Sequence, residues 1–438
     1  MFTVVPQDSN RSSRPRVVII GGGFGGLALA KNLKNAPVDV LMLDKHNYHT
    51  FQPLLYQVAI GSIAADSIGF PIRRIFTKFD NFTFNMAGVQ KINPENNTLT
   101  TNIGEVHYDY LVIATGSNTN FFGNKQIEHF AMPMKNIPEA LNLRSLILQN
   151  LETALVTTDM REKFALMTYV VVGGGPTGVE LCGALAEMRH LILMKDYHGL
   201  SKYDMRVYLV EGKDRLLASM SAQASASAKQ FLTDSEVIIF NSAHVTSYDG
   251  FYLNIDNDKT IKTRNVFWAA GVMGEVPEGI PAEQVIKGNR IQTDEISRVK
   301  GYQNIFAIGD VAAMITETTP NGHPGVAPVA IQQGQCLAKN LVRLIKGETT
   351  VPFKYHDKGT LATIGRNKAV ADLGKIHLHG VIAWILWGVV HLMSLAGFAN
   401  KGMVFLTWVI NYFNKNSDNR LVVRYFNTET RLTEVGSK

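Results

Sequence analysis

The chain has 438 residues, 46% of them hydrophobic, with 37 glycines: enough apolar content for two or three domains with real cores. Its two cysteines, Cys182 and Cys336, form no C-x-x-C or C-x-x-x-x-C, which excludes a redox-active dithiol and leaves too few thiolates for an iron–sulfur cluster. The 12 histidines show no metal-ligand spacing, so no metal is expected, and the formal net charge is +6.

Met1 to Arg16 is short, polar and basic, without the apolar core of a signal peptide. Residues 1–14 therefore read as a disordered start that does not direct export. Val17-Val18-Ile19-Ile20 is an apolar strand run leading into Gly21-Gly22-Gly23-Phe24-Gly25-Gly26 and the helical Leu27-Ala28-Leu29-Ala30. A strand that turns through G-x-G-x-x-G into a helix seats a pyrophosphate on the helix N-terminus. The next strand, Val38 to Leu43, stops at Asp44, 18 residues past Gly26, near the roughly 20 expected of the acid that holds an adenosine ribose. Tyr110-Leu111-Val112-Ile113 breaks at Ala114-Thr115-Gly116, where small residues let backbone approach a ligand closely.

The motif recurs about 150 residues on, as Tyr169-Val170-Val171-Val172, Gly173-Gly174-Gly175-Pro176-Thr177-Gly178 and Val179-Glu180-Leu181. Its carboxylate strand, Arg206 to Val210, ends in Glu211, 33 residues past Gly178, so a longer helix or an insertion must lie between. A carboxylate here accepts from a ribose 2′-hydroxyl and repels a 2′-phosphate, favouring NAD, although Lys213 and Arg215 pull toward NADP. Phe267-Trp268-Ala269-Ala270-Gly271 repeats the strand-to-small-turn design. Asn304 to Ile308 is a buried-strand pattern delivering Asp310, fit to hold a ribityl hydroxyl. A helix opening near Ala327 to Gln332 could aim its positive end at a reduced flavin. Glu180 reads as a first-turn residue of its helix, there either for the dipole or to serve the nicotinamide. Two dinucleotides held at once imply a hydride passed between them.

The tail concentrates charge and apolarity together. From Val351 onward stand 11 Lys and Arg against 5 Asp and Glu, whereas residues 1–350 balance at 32 of each. Gly380 to Phe398 is the most apolar segment, 19 residues interrupted by His391 and Ser394, and Met403 to Phe413 follows. Trp384, Trp387 and Trp408 fall here, where rings suited to a headgroup interface are expected. Three readings compete: a pair of helices lying in one leaflet with Lys401, Lys415, Arg420 and Arg424 on anionic headgroups, a single spanning helix, or a buried hairpin or dimer contact. The first explains both lengths and the charge.

The order of these motifs resembles the two-dinucleotide-binding-domain flavoproteins. More specific runs, His49-Thr50-Phe51-Gln52-Pro53-Leu54-Leu55-Tyr56-Gln57-Val58-Ala59, Gly175 to Leu181, Trp268 to Val272 and Lys358 to Arg366, resemble the type II NADH:quinone oxidoreductases over about residues 15 to 425. The resemblance implies an α/β fold of two Rossmann-like domains, a FAD domain interrupted by a NAD domain, plus a C-terminal amphipathic-helix membrane module. The corresponding ranges are 15–130 and 289–350 for FAD, 131–288 for NADH with a linker helix, and 351–438 for the membrane module. It implies non-covalent FAD on Gly21, Gly23, Phe24, Gly25, Gly26, Asp44, Lys45, Thr50, Gln52, Val89, Ala114, Thr115, Gly116, Asp310, Ala327 and Val329. NADH is expected on Gly173, Gly175, Pro176, Thr177, Gly178, Glu180, Glu211, Ala270 and Gly271. Quinone is the acceptor, with Glu180, Gln332 and Lys358 as the catalytic candidates. Where the family carries Ala-Gln-x-x-x-Gln, this chain has Ala327-Pro328-Val329-Ala330-Ile331-Gln332; the proline suits a helix start but removes one quinone-side glutamine.

The implied activity is respiratory NADH oxidation without proton pumping. It is expected on the cytoplasmic face of a bacterial inner membrane, with lipid bound through 380–425, a homodimer as a further partner, and no nucleic acid. The alternatives are a soluble FAD-dependent NAD(P)H reductase with a protein electron acceptor, a sulfide:quinone oxidoreductase-like enzyme, against which the cysteine count speaks, and a flavin-dependent signalling factor.

Overall fold

The computed structural model describes residues 13–256, 258–317, 319–414, 419–422 and 425–426. They form two compact units. The first comprises the described residues up to His49 with Phe70–Asn118 and Val272–Asp357; the second comprises Thr50–Gly69, Thr119–Gly271 and the described residues from Lys358.

The first unit is built on a five-stranded sheet in the order Ile305–Ala307, Tyr110–Ile113, Arg16–Ile20, Asp39–Asp44, Phe82–Met86, all parallel. Its strands are apolar on both faces because both are covered. On one face Val17, Ile19 and Met42 pack with Leu27, Leu29, Leu337 and Leu341 of the Phe24–Asn32 and Ala327–Lys346 helices. On the other, Val18, Leu41 and Leu111 meet Ile92, Leu99 and Val106 of a three-stranded antiparallel sheet.

The second unit repeats the plan: Met132–Pro133, Asn265–Trp268, Thr168–Val172, Arg206–Val210, Ile238–Phe240, again all parallel. The long connection from Gly178 to Glu211 is the Pro176–Met188 helix prolonged by a π-helical turn, Arg189–Leu193, and one more turn at Met194–Asp196. By packing, the chain changes unit at 118/119 and 271/272, not near 130 and 288, because Phe121, Ile127 and Phe130 sit on the second core with Val172 and Trp268. The segment 50–69 likewise belongs to the second unit.

The tail adds an antiparallel sheet, Thr360–Gly365, Lys368–Leu373 and Ile376–His379, then two helices, Gly380–Ser394 and Phe398–Asn414. No helix among the described residues is long and apolar enough to cross a membrane, which removes the spanning reading. Val381, Ile382, Ile385, Val389 and Met393 of the first helix, and Phe398, Met403, Phe405, Leu406, Ile410 and Phe413 of the second, are exposed. The tryptophans are not on that outer face: Trp387 is buried and packs against Trp408, while Trp384 meets Tyr412. Nor do two of the four basic residues point outward unpaired. Arg420 forms an ion pair with Asp196 at 2.5 Å, and Lys401 donates to the Met393 carbonyl at 2.6 Å. Lys415 and Arg424 lie outside the described residues.

Candidate active site

Each Rossmann-like unit carries a glycine cradle of the same design, differing at Phe24-Gly25 against Pro176-Thr177. Gly21 (φ +106°) and Gly173 (φ +110°) take a left-handed turn where a Cβ would stand 2.8 Å from the Ala114 carbonyl carbon and 2.6 Å from that of Ala269. Gly26 and Gly178 let each helix press on the carbonyl of the first glycine. Gly23 and Gly175 are the N-caps of the Phe24–Asn32 and Pro176–Met188 helices, with nothing within 4 Å of an added Cβ and no capping side chain among the described residues. A glycine-capped helix start directly after a tight strand turn is the arrangement that receives a phosphate.

The acids at the strand ends tie the cradles down. Asp44 accepts from Gly22 N–H at 2.6 Å and His46 N–H at 2.7 Å; burial nonetheless raises its pKa. Glu211 accepts from Gly174 N–H and, at 2.7 Å, from Lys213 N–H. Both acids therefore fix the loop that follows the motif strand.

In the first unit Thr115 donates to the Glu275 carbonyl at 2.5 Å, and the Glu275 carboxylate pairs with Lys45 at 2.5 Å. Ser117 donates to Asp310 at 2.6 Å. Val89 packs against the core on the antiparallel-sheet side. Ala327 opens the Ala327–Lys346 helix, with Pro328 tolerated in its first turn and Val329 buried. These features fit a FAD: a glycine turn at a helix start, a strand-end acid, and a second helix start facing the Asp310 turn. Two contacts escaped the sequence reading. Buried His49, its pKa lowered to about 4 by burial, is neutral and donates from Nδ1 to the Gly22 carbonyl at 3.0 Å. Gln333, not Gln332, reaches the Asp310 turn, accepting from Gly309 N–H at 2.8 Å.

Gln332 instead closes a reciprocal pair with the His356 backbone, donating to its oxygen at 2.9 Å and accepting from its nitrogen at 3.0 Å. Lys358 is exposed and lines no cavity that Glu180 lines. Thr50 and Gln52 fall in the second unit, and Gln52 is exposed.

Within the second unit an apolar cavity of about 420 Å³ is walled by the 55–59 helix, the Pro176–Met188 helix, the Thr360–Gly365 strand and both tail helices. Glu180 lies in its wall. It is the fifth helical residue, not a first-turn one, so the dipole does not account for it. Its carboxyl is buried, and burial raises its pKa to about 8 against the pull of the Thr363 backbone N–H and the Trp387 indole. Trp408 Nε1–H donates to Gln57 Oε1 and Gln57 Nε2–H to Tyr56 Oη, both at 2.8 Å, which leaves the Tyr56 proton to turn elsewhere. Asn400 and Asn411 hold the second tail helix to the carbonyls of Asp66, Ser67 and Ser62 at 2.9–3.1 Å.

Residues 15–334 match the pyridine nucleotide-disulphide oxidoreductase family and residues 357–415 the NDH2 C-terminal domain. Over 420 residues the chain is 36% identical to the type II NADH:quinone oxidoreductase Ndh of Mycobacterium tuberculosis, covering 92% of this chain and 89% of that one. It belongs to the type II NADH:quinone oxidoreductases. To NdhA of the same organism it is 34% identical over 419 residues, covering 92% and 88%. The structure of NDH2 from Plasmodium falciparum in complex with NADH shares the fold, with TM-score 0.84 at 20% identity over 94% of this chain and all of that one. As a type II enzyme, the chain has its family's C-terminal domain where the sheet and the two tail helices wall the Glu180 cavity.

Proposed function

We propose that this chain oxidises NADH and reduces a membrane quinone, with FAD held by the first glycine cradle, NADH by the second, and the quinone ring in the cavity beside Glu180. FAD, when bound, takes the hydride of NADH and returns two electrons to the quinone. The chain's own residues do the rest. Gly21, Gly23 and Gly26 with Asp44 orient one dinucleotide. Gly173, Gly175, Gly178 and Glu211 orient the other, with Glu211 favouring NADH. Reduction of a quinone consumes two protons, and one of these comes from solvent for each NADH oxidised. A carboxyl with a pKa of about 8 is still protonated at neutral pH and can give that proton to a quinone oxygen.

The observation that carries this reading is the juxtaposition of a protonated buried carboxyl with an aromatic, apolar cavity whose outer walls are the exposed apolar tail helices. Such a surface suits a headgroup interface on which both helices lie, so that a lipid-soluble acceptor enters from the bilayer side. A peripheral position on the cytoplasmic face of a bacterial membrane accords with NADH supply. Anaerobic mixing with NADH should bleach the oxidised-flavin absorbance, and a short-chain quinone should restore it. Bleaching without recovery would instead favour a protein acceptor.

A further inference from the structure

We propose that Glu187 resupplies the proton that Glu180 gives to the quinone, making one face of the Pro176–Met188 helix a proton path through the cavity wall. This rests on the quinone reading above.

Glu180, Ala184 and Glu187 all line the same cavity. Spacings of four and seven residues put them on one helix face, the two carboxyls about two turns, ~10 Å, apart along the axis. Ala184 between them is small and leaves that stretch of wall open. Tyr56 stands opposite: its phenol is buried, feels the charge of both carboxylates, and accepts from Gln57, so that its own proton is available to either. Glu180 is buried, whereas Glu187 keeps part of its surface open.

The surroundings of Glu187 are those of a titrating group, not of a fixed ion pair. Its carboxylate accepts the Arg366 backbone N–H, and Gly365, where a Cβ would lie 3.0 Å from the Glu187 Oε1, lets the turn close over it. The Arg366 guanidinium itself is turned to the carbonyls of Asn411 at 3.0 Å and Tyr412 at 3.2 Å. Burial raises the Glu187 pKa, opposed by the Arg366 N–H and by the charges of Arg366 and Lys368. The charged and titratable groups that act on it are therefore Arg366, Lys368 and Tyr56, with Glu180 about two turns away on the same helix and His190 in the π-helical turn that follows.

The balance is simple. Per NADH oxidised, the quinone gains two electrons and two protons. One proton derives from the hydride, and the other leaves Glu180. The Glu180 carboxylate then takes a proton from Glu187, directly through Tyr56 or by a water in the cavity, and Glu187 recovers one from solvent.

Glu187→Gln keeps an acceptor for the Arg366 N–H and removes only the titration. In the full-length, flavin-loaded enzyme held in detergent, quinone-driven flavin reoxidation should slow at least about tenfold, short of the roughly 10²–10⁴-fold of a direct proton donor. The solvent deuterium isotope effect should rise, and millimolar acetic acid should restore the rate; Glu187→Asp should recover much of it. Binding of a quinone analogue, read by quenching of the cavity tryptophans, should be unchanged. Reoxidation at the wild-type rate and isotope effect, or a slowing that acetic acid does not relieve at any pH, would overturn the proposal. Glu180→Gln separates the two levels. If it slows reoxidation and Glu187→Gln does not, the relay alone falls. If neither does, the reading of the cavity falls with it.

Discussion

Gly183 has no room for a side chain. A Cβ there would lie 2.6 Å from the Ile364 carbonyl carbon and 3.2 Å from its Cα, so Gly183→Ala must push the Thr360–Gly365 strand off the helix by about 1 Å. The neighbour is backbone, which no rotamer change can relieve, so the cost belongs at the upper end of overpacking, about 3 kcal/mol. The Gly-to-Ala gain in a helix interior offsets about 1 kcal/mol. Loss of the Thr363 N–H to Glu180 adds roughly 1 kcal/mol more. The net destabilisation is therefore about 3 kcal/mol, a fall in Tm of roughly 5–10 °C for a unit of this size. Circular dichroism melts of the flavin-loaded protein read it. Gly402, exposed in the second tail helix with nothing within 4 Å of an added methyl, provides the opposite sign: Gly402→Ala should stabilise by about 0.5–1 kcal/mol. A Gly183→Ala protein that melts within about 1 °C of the parent would refute the packing argument.

Three further outcomes are expected. The folded-state pKa of Glu180 is raised from 4.5 to about 8, so the folded protein retains a proton that the unfolded chain releases. That contribution is complete below the unfolded value and is lost as pH rises through the folded one, at up to about 1.4 kcal/mol per unit. Urea titrations should show Glu180→Gln gaining on the parent from pH 5 to about 8 and levelling off above it; parallel curves would contradict the burial. Gly21→Ala and Gly173→Ala should separate the two cradles. The first should purify with little flavin. The second should retain it and bleach with dithionite but not with NADH, and equal defects in both would refute the assignment. Phe405→Asp on the outer tail face should reduce partition into anionic vesicles at least tenfold in a flotation assay, with each charged group costing about 2 kcal/mol or more in the interface core; unchanged flotation would leave the tail helices without a membrane role.

Much of this architecture was legible in the chain because local physics dictates it. Gly21 and Gly173 need left-handed turns, Gly26 and Gly178 need close helix–strand approach, and the acids at 44 and 211 must end strands that pair with the motif strands. Each requirement falls on a few adjacent residues, so the sequence carries it openly. What stayed hidden is set by distant partners. Nothing local in Thr50–Gly69 says that it packs with the tail helices, a relation made by Asn400, Asn411 and Trp408 more than 300 residues on. Trp384 and Trp387 read as interface residues from composition; only the packing of the two helices shows that they turn inward. Gln332 and Lys358 are candidates by residue type and position. The first is engaged by the His356 backbone and the second is exposed, while Tyr56, Gln57 and Glu187, two of them inside a quoted run, form the cavity with Glu180.

Reduction of the quinone in the Glu180 cavity, as proposed above, can be tested at the cavity wall. Ala184→Trp would fill that cavity from its wall without touching either glycine cradle. Stopped-flow mixing of this variant, first with NADH and then with a short-chain quinone, measures the two half-reactions in one experiment. Flavin bleaching is expected at the parent rate and recovery slowed by about two orders of magnitude or more, roughly the loss expected when a reacting partner is held out of place. Recovery at the parent rate with the cavity filled would mean that the quinone meets its electrons elsewhere.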